Sequence, residues 1–403
     1  MSKINKVQDL KIEKYFSDWI IIIFQKFDSI NIIIKNNEKS MLYKNNFKFD
    51  YLKKLKQLSS NNTITEIIDY FSIMINKKNI EIIPKTHSIK FRLISNSSNK
   101  NENTELTLNE INQRMNKIKE IYAHEDVIAS VKIFDLGNIV SVSYDNTIKI
   151  WNNNLELLQK IENVYNNVGI SNVHVKDENH FLTISENEEI KNWVKENDKF
   201  IEIKESKDTN LNYNFISLEH NIFSLSDKEI IISELINNKM QKITTLTHSD
   251  IIFSLRYVNS LNIIISSGKD GTKIWNKYNF ECILYIKEAT CFDETALKLI
   301  DKNRIIVGGG EDFIMYIISI NEKKVIHTIN NNFVCWTICV VVEKEVFLTG
   351  GKSNNIKIYR SDNYLCIQNI KNAHGGFING ILELNNGLIL SYSDDKNICI
   401  WNF

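Results

Sequence analysis

Apolar and polar positions repeat along the chain on two length scales. From about residue 116 onward, short runs alternate apolar and polar residues, as in VIASVKIF (127–134), and polar turns separate them. Alternation with a period of two buries one face and predicts half-buried β-strands. A second run follows, NIVSVS (138–143), then a tight turn rich in Asp, Asn, Ser and Gly. A third run, TIKIW (147–151), and a fourth, LELLQKI (155–161), complete the unit.

The longer scale appears when the chain is aligned on that tight turn. Seven segments match: SYDNTIKIW (143–151), SENEEIKNW (185–193), LSDKEIIIS (225–233), GKDGTKIW (268–275), GEDFIMYII (310–318), GKSNNIKIY (351–359) and SDDKNICIW (393–401). The turn position falls at Asp145, Asn187, Asp227, Asp270, Asp312, Ser353 and Asp395, with successive gaps of 42, 40, 43, 42, 41 and 42 residues. Four short strands in a unit of ~40–45 residues are the grammar of one propeller blade. The expected fold is therefore mainly β, a seven-bladed β-propeller over 116–403. The last unit stops after its third strand, whereas NKIKEIYAH (116–124) resembles QKITTLTHS (241–249), a fourth strand running into a unit start. Residues 116–122 are expected to complete the last blade and so hide its exposed edges.

The first 95 residues lack the period and predict a small α+β module of unrecognised family. WIIIIFQ (19–25) and INIIIKN (30–36) read as a β-hairpin, against a competing helical stripe of Ile12, Phe16, Trp19, Ile23 and Phe27. Helices are expected over 50–58 and over 63–75, where Thr63 and Glu66 form a capping box. Two strands follow, NIEII (79–83) and SIKFRLI (88–94). Residues 96–115 read as a polar linker leading into a short helix from Thr107, with Leu108, Ile111, Met115 and Ile118 on one face.

Bulk composition narrows the function. The 403 residues carry 49 Lys and Arg against 49 Asp and Glu. A net charge of zero argues against a mainly phosphate-driven nucleic-acid binder. The six cysteines form no CxxC pair and no histidine cluster sits at zinc spacing, so no metal or cofactor is expected. Cys335 and Cys339 read as small buried apolar residues. The most apolar run, WIIIIF (19–24), is far shorter than the ~20 residues of a membrane helix. The chain reads as soluble and intracellular, with a cytoplasmic setting.

Within the repeats, three units carry His, Ser, Asp and Trp at matching places: His124, Ser141, Asp145, Trp151; His248, Ser266, Asp270, Trp275; and His374, Ser391, Asp395, Trp401. In the second set Trp275 comes one residue early. Two units are partial, with Thr183 and Trp193, and with Thr349 and Tyr359. These residues resemble the WD-repeat family, over roughly 116–403. Indole, hydroxyl, imidazole and carboxylate can form one hydrogen-bonded chain, a structural staple rather than a catalytic set.

Other candidate chemistry reads as structure. VGGGED (307–312) lacks the GK[ST] ending of a phosphate loop, and a Gly pair recurs at Gly350–Gly351. The acidic pairs Glu188–Glu189 and Asp394–Asp395 read as solvated turns. Phe91-Arg92 is only a fragment of the Phe-Arg-Arg-Gly motif of phosphoinositide-binding propellers.

The resemblance implies a non-catalytic scaffold or adaptor for protein–protein interaction, with partner proteins or peptides on the propeller rim. Carried over by position, the expected partner-binding residues are Tyr144, Phe253, Lys269, Lys352, Phe377 and Asn379. The aromatic residues would anchor a partner and the lysines would favour its acidic groups. An alternative is a substrate receptor of a ubiquitin ligase, docked through the front module. An enzyme would need titratable residues meeting in the central channel.

Overall fold

A computed structural model of the chain describes residues 11–16, 19–26, 29–36, 41–48, 71, 80–84, 88–93, 104–110, 113–203, 215–218, 221–226, 228–236 and 239–403. Two units divide it, Met1–Asn112 and Gln113–Phe403.

The described part of the first unit is a seven-stranded antiparallel sheet. Its spatial order is Lys11–Phe16, Trp19–Lys26, Ser29–Asn36, Met41–Lys48, Thr104–Glu110, Ser88–Leu93, Ile80–Pro84. The hairpin reading holds: Trp19–Lys26 pairs with Ser29–Asn36, matching Ile23 to Ile32 and Ile21 to Ile34. These four isoleucines are fully buried, and their spacing of two residues puts them on one face. Strand alternation thus overrides the helical stripe. Pro84 ends the edge strand, a position that tolerates proline. The helices expected over 50–58 and 63–75 lie outside the described residues, apart from buried Phe71.

The helix expected from Thr107 is corrected. Thr104–Glu110 is a strand that pairs with Ser88–Leu93 from Thr104 to Asn109 and touches Met41–Lys48 at Tyr43 and Lys44. Its sequence, TELTLNE, satisfies a period of two as well as a helical face, and insertion between two waiting strand edges decides the matter. Met115 is not helical either. Its backbone N–H donates to Gln368 Oε1 (2.7 Å) and its carbonyl accepts from Gln368 Nε2 (2.8 Å), with the side chain buried.

The second unit holds seven four-stranded antiparallel sheets in chain order, a seven-bladed propeller. The inner strands of blades one to seven are Ile128–Ile133, Ile170–Asp177, Phe215–Leu218, Ile252–Val258, Leu297–Leu299, Cys335–Val341 and Ile378–Glu383. Each of the first six blades is one continuous stretch of chain. The seventh takes its outer strand from the start of the unit: Asn116–Tyr122 pairs antiparallel with Asn397–Asn402, from Tyr122 opposite Asn397 to Asn116 opposite Asn402.

Alternation in the middle strands supplies the core. In the seventh blade Leu390, Ile398 and Ile400 pack toward blade one with Ile128, Val131 and Ile139. Ile389, Cys399 and Trp401, of opposite parity, pack toward blade six with Leu348, Ile356 and Ile358. Comparable apolar cores join blades one and two, three and four, four and five, and five and six. The sheets of blades one, four, five, six and seven are therefore buried on both faces, which is why their middle strands read as near-continuous apolar runs.

Candidate functional site

The three complete tetrads form the same hydrogen-bonded chain. In blade one the Trp151 indole N–H donates to Ser141 Oγ (2.9 Å), Ser141 lies 2.8 Å from His124 Nε2, and His124 Nδ1 lies 3.0 Å from Asp145 Oδ2. The corresponding distances are 2.8, 2.7 and 2.5 Å for Trp275, Ser266, His248 and Asp270, and 2.8, 2.7 and 3.0 Å for Trp401, Ser391, His374 and Asp395. An indole can only donate, so the serine hydroxyl proton goes to Nε2 and the imidazole donates from Nδ1 to the carboxylate. Each Asp also accepts a backbone N–H from the residue after the His: Glu125, Ser249 and Gly375. Both ring nitrogens of each His are hydrogen-bonded, one to a hydroxyl and the other to a carboxylate, and all three histidines are buried, so these are staples.

Trp275 keeps its place despite the missing residue. Gly271, with φ +121, closes a shorter turn that pairs with Gly268, and Trp275 still lies opposite Ile264. A Cβ on Gly271 would come within 2.4 Å of the Ile286 carbonyl, so the short turn requires glycine.

Two stapling residues escaped the sequence reading. In blade two Tyr165 takes the histidine's place, its hydroxyl 2.8 Å from Thr183 Oγ1, which accepts the Trp193 indole N–H at 3.0 Å. In blade six buried Asn331 Oδ1 accepts from the Tyr359 hydroxyl (2.9 Å) and from Thr349 (3.3 Å). The signal was present: every opener precedes its Ser or Thr by 17 or 18 residues.

Burial lowers the pKa of His124 and of His248 despite the favourable Asp beside each. Asp145 and Asp395 are lowered too: burial opposes ionisation, but the hydrogen bonds from His124 and His374 prevail, taking Asp395 to about 2. A histidine whose folded pKa is depressed stabilises the fold fully above the unfolded value of ~6.5, and that contribution fades as pH falls below it. Unfolding free energy is expected to decline from pH 7 toward pH 5, by up to ~1.4 kcal/mol per pH unit for each such histidine. Urea titrations at pH 7.5, 6.5 and 5.5 check this, and a flat profile contradicts it. The Asp contribution persists until about pH 4.

The expected rim residues fall into two groups. At the junction of blades six, seven and one, Tyr144 and Phe377 are 41% and 40% exposed. Phe377 sets its edge against Trp336 (5.7 Å between centroids, 88° between planes), a residue the sequence reading missed. Trp336 follows Asn331 by five positions, as Phe253 and Asn379 follow their histidines. Asn379 is half-buried and donates to the Ile128 carbonyl (3.0 Å) and to Asp394 (2.8 Å), joining blade seven to blade one. Burial, then the charges of Glu186, Asp394 and Asp126, raise the Tyr144 pKa, so an acidic fringe surrounds this exposed ring. In the second group, Phe253 is half-buried, stacks on Phe292 (5.9 Å) and packs against the core between blades four and five. Lys269 lies over the Phe292 ring at 5.9 Å, and Lys352 is exposed on blade six.

Ionisable residues also converge in the central channel, where the sequence reading found none. Lys132, His174, Arg256 and Lys298 occupy one equivalent position of the inner strands of blades one, two, four and five. They lie opposite Val140, Leu182, Ile265 and Ile306 in the adjoining strands. The segment before the fifth inner strand carries Asp293 and Glu294 among them. Glu294 Oε1 meets Lys132 Nζ at 2.5 Å, a bond from blade five to blade one. Its carbonyl accepts from Arg256 Nη2 (2.9 Å) and Ser254 Oγ (2.8 Å) of blade four.

The charges shape one another. Burial alone would raise the Glu294 pKa, but Lys132, His174 and Arg256 hold it below the usual carboxylate range. Asp293 is raised, by burial and by Glu294 beside it. Lys298 is brought down to about 8, by burial first and then by Arg256. Tyr392 of blade seven reaches toward this group across Gly380, where a Cβ would fall 2.1 Å from its ring. Among the described residues no cluster of His, Cys, Asp and Glu is arranged to hold a metal ion, and no helix is long and apolar enough to cross a membrane.

Residues 115–152, which span the closing strand and the first three strands of blade one, match the family model "WD domain, G-beta repeat". With the seven four-stranded sheets, this match is consistent with a WD-repeat β-propeller. No curated protein matches the chain.

Proposed function

We propose that the propeller is a non-catalytic platform that binds partner proteins through the rim of blades six, seven and one. WD repeats generally mediate protein–protein interaction. The observation that carries the reading is the pairing of exposed Tyr144 and Phe377 with Trp336 on a rim whose deeper side chains are stapled in place. Large aromatics on a rigid frame concentrate interface energy because little rotamer freedom is lost on binding. Asp126, Glu186 and Asp394 beside Tyr144 favour a basic group on the partner at that end, and exposed Lys352 on blade six favours an acidic one. Phe253 and Asn379 contribute by holding the rim, through Phe292 and through Ile128 and Asp394.

The test is the triple variant Y144A/W336A/F377A. Its thermal midpoint is expected within a few degrees of the parent. Partner proteins recovered stoichiometrically with the parent should be lost at least tenfold, as measured by quantitative mass spectrometry. Equal recovery would reject this surface. The channel residues are the basis on which an enzyme reading would rest. They form a set of cations around a carboxylate already tied to Lys132, which suits holding charge more than transferring protons.

A further inference from the structure

The cationic tier of the channel brings three cations together with two carboxylates, of which Asp293 is turned to the Thr295 N–H and hydroxyl, leaving Glu294 to meet the cations. Lys132, Arg256 and Lys298 come from three blades, and Glu294 alone among the described residues forms a salt bridge with any of them, with Lys132. Arg256 gives its hydrogen bonds to two backbone carbonyls, those of Leu255 and Glu294. Lys298 sits on its inner strand at the same level as Lys132 and Arg256, within electrostatic reach of both. The Glu294 and Lys132 side chains are still 22% and 25% exposed, so the tier is open to water-sized solutes. Like charges drawn together in a partly desolvated ring cost free energy unless a counter-charge joins them. A guanidinium and two ammonium groups converging from different blades match the oxygens of a compact oxyanion.

We propose that this tier is a binding site for a small, multiply charged phosphate-type anion, held by Lys132, Arg256 and Lys298, with the Glu294 carboxylate as its resident stand-in. Such an anion adds direct charge pairing at Arg256 and Lys298, which make no salt bridge among the described residues, and displaces Glu294 from Lys132. It crosslinks blades one, four and five, so binding and stability rise together. The site is separate from the rim and does not depend on a protein partner.

The experiment uses the full chain with inorganic pyrophosphate, compared with sodium chloride at equal ionic strength. Calorimetric titration is expected to give one site, with a rise in thermal midpoint that chloride does not reproduce. The variant R256Q/K298M should weaken binding at least tenfold. In chloride it should unfold at or above the parent's midpoint, because two crowded charges are gone. If that variant fails to unfold cooperatively, K298M alone serves. E294Q, which removes the competing charge, should tighten binding several-fold; binding seen only in E294Q would also support the site. The proposal is overturned if neither the parent nor E294Q binds pyrophosphate, or if R256Q/K298M binds as tightly as the parent.

Discussion

A chain beginning at Gln113 is expected to unfold in a single cooperative transition, and one beginning at Ala123 is expected to lose most of its stability. The second truncation keeps every tetrad and removes the strand that faces Asn397–Asn402. It also removes Met115, buried in the core between blades six and seven, and the backbone pair that Met115 makes with Gln368. Half a dozen strand hydrogen bonds at about 1 kcal/mol each, together with one buried methionine, amount to roughly 5–8 kcal/mol. That is comparable with the whole stability of many domains. The bare edge left at Asn397–Asn402 is also a template for pairing with another chain, so aggregation should rise. Equilibrium urea denaturation of the two truncations, followed by tryptophan fluorescence, measures the difference. A loss below about 1 kcal/mol would mean that the strand adds little.

His374→Ala should be the most damaging single substitution among the tetrads. His374 stands in the same blade as the borrowed strand, and the change takes one partner from Ser391 Oγ and one from Asp395 while opening a cavity beside Cys399 and Trp401. Trp401 still donates to Ser391 and Gly375 to Asp395, but the two lost imidazole hydrogen bonds plus the void cost about 3–4 kcal/mol. His374→Gln, which keeps a donor and an acceptor on a shorter side chain, should recover part of that loss. Urea midpoints for the two variants decide the matter, and a loss near zero for His374→Ala would remove the stapling role.

The ring was legible because its information is periodic. A turn recurring every 40–43 residues survives the wear of individual motifs, and strand alternation fixes which residues face each junction. What escaped were functions carried by position rather than by residue type. Tyr165 and Asn331 do the work of histidine at the same 18-residue offset from Thr183 and Thr349, and a search for His passes over them. The cationic tier is a single column of the repeat: 132 to 174 and 256 to 298 are each one 42-residue step. Read along the chain, those residues are solitary charges on apolar strands; only ring closure makes them neighbours. Thr104–Glu110 failed for a different reason. A seven-residue segment fits both periods, and its fate was set by partners far away in sequence, Ser88–Leu93 and Met41–Lys48. On the rim, position located Tyr144 and Phe377, but it could not show that Phe253 turns inward onto Phe292.

The borrowed strand is the feature on which the closed ring, the shared rim and the convergent channel all depend. Amide hydrogen exchange resolved to Asn116–Tyr122 tests it directly. The alternate amides of this strand that bond Asn397–Asn402 should exchange as slowly as those of Ile398–Trp401 and by the same global opening, because the two segments form one ladder. Exchange of those bonded amides at the rate of an exposed loop, with 398–401 still protected, would contradict the account.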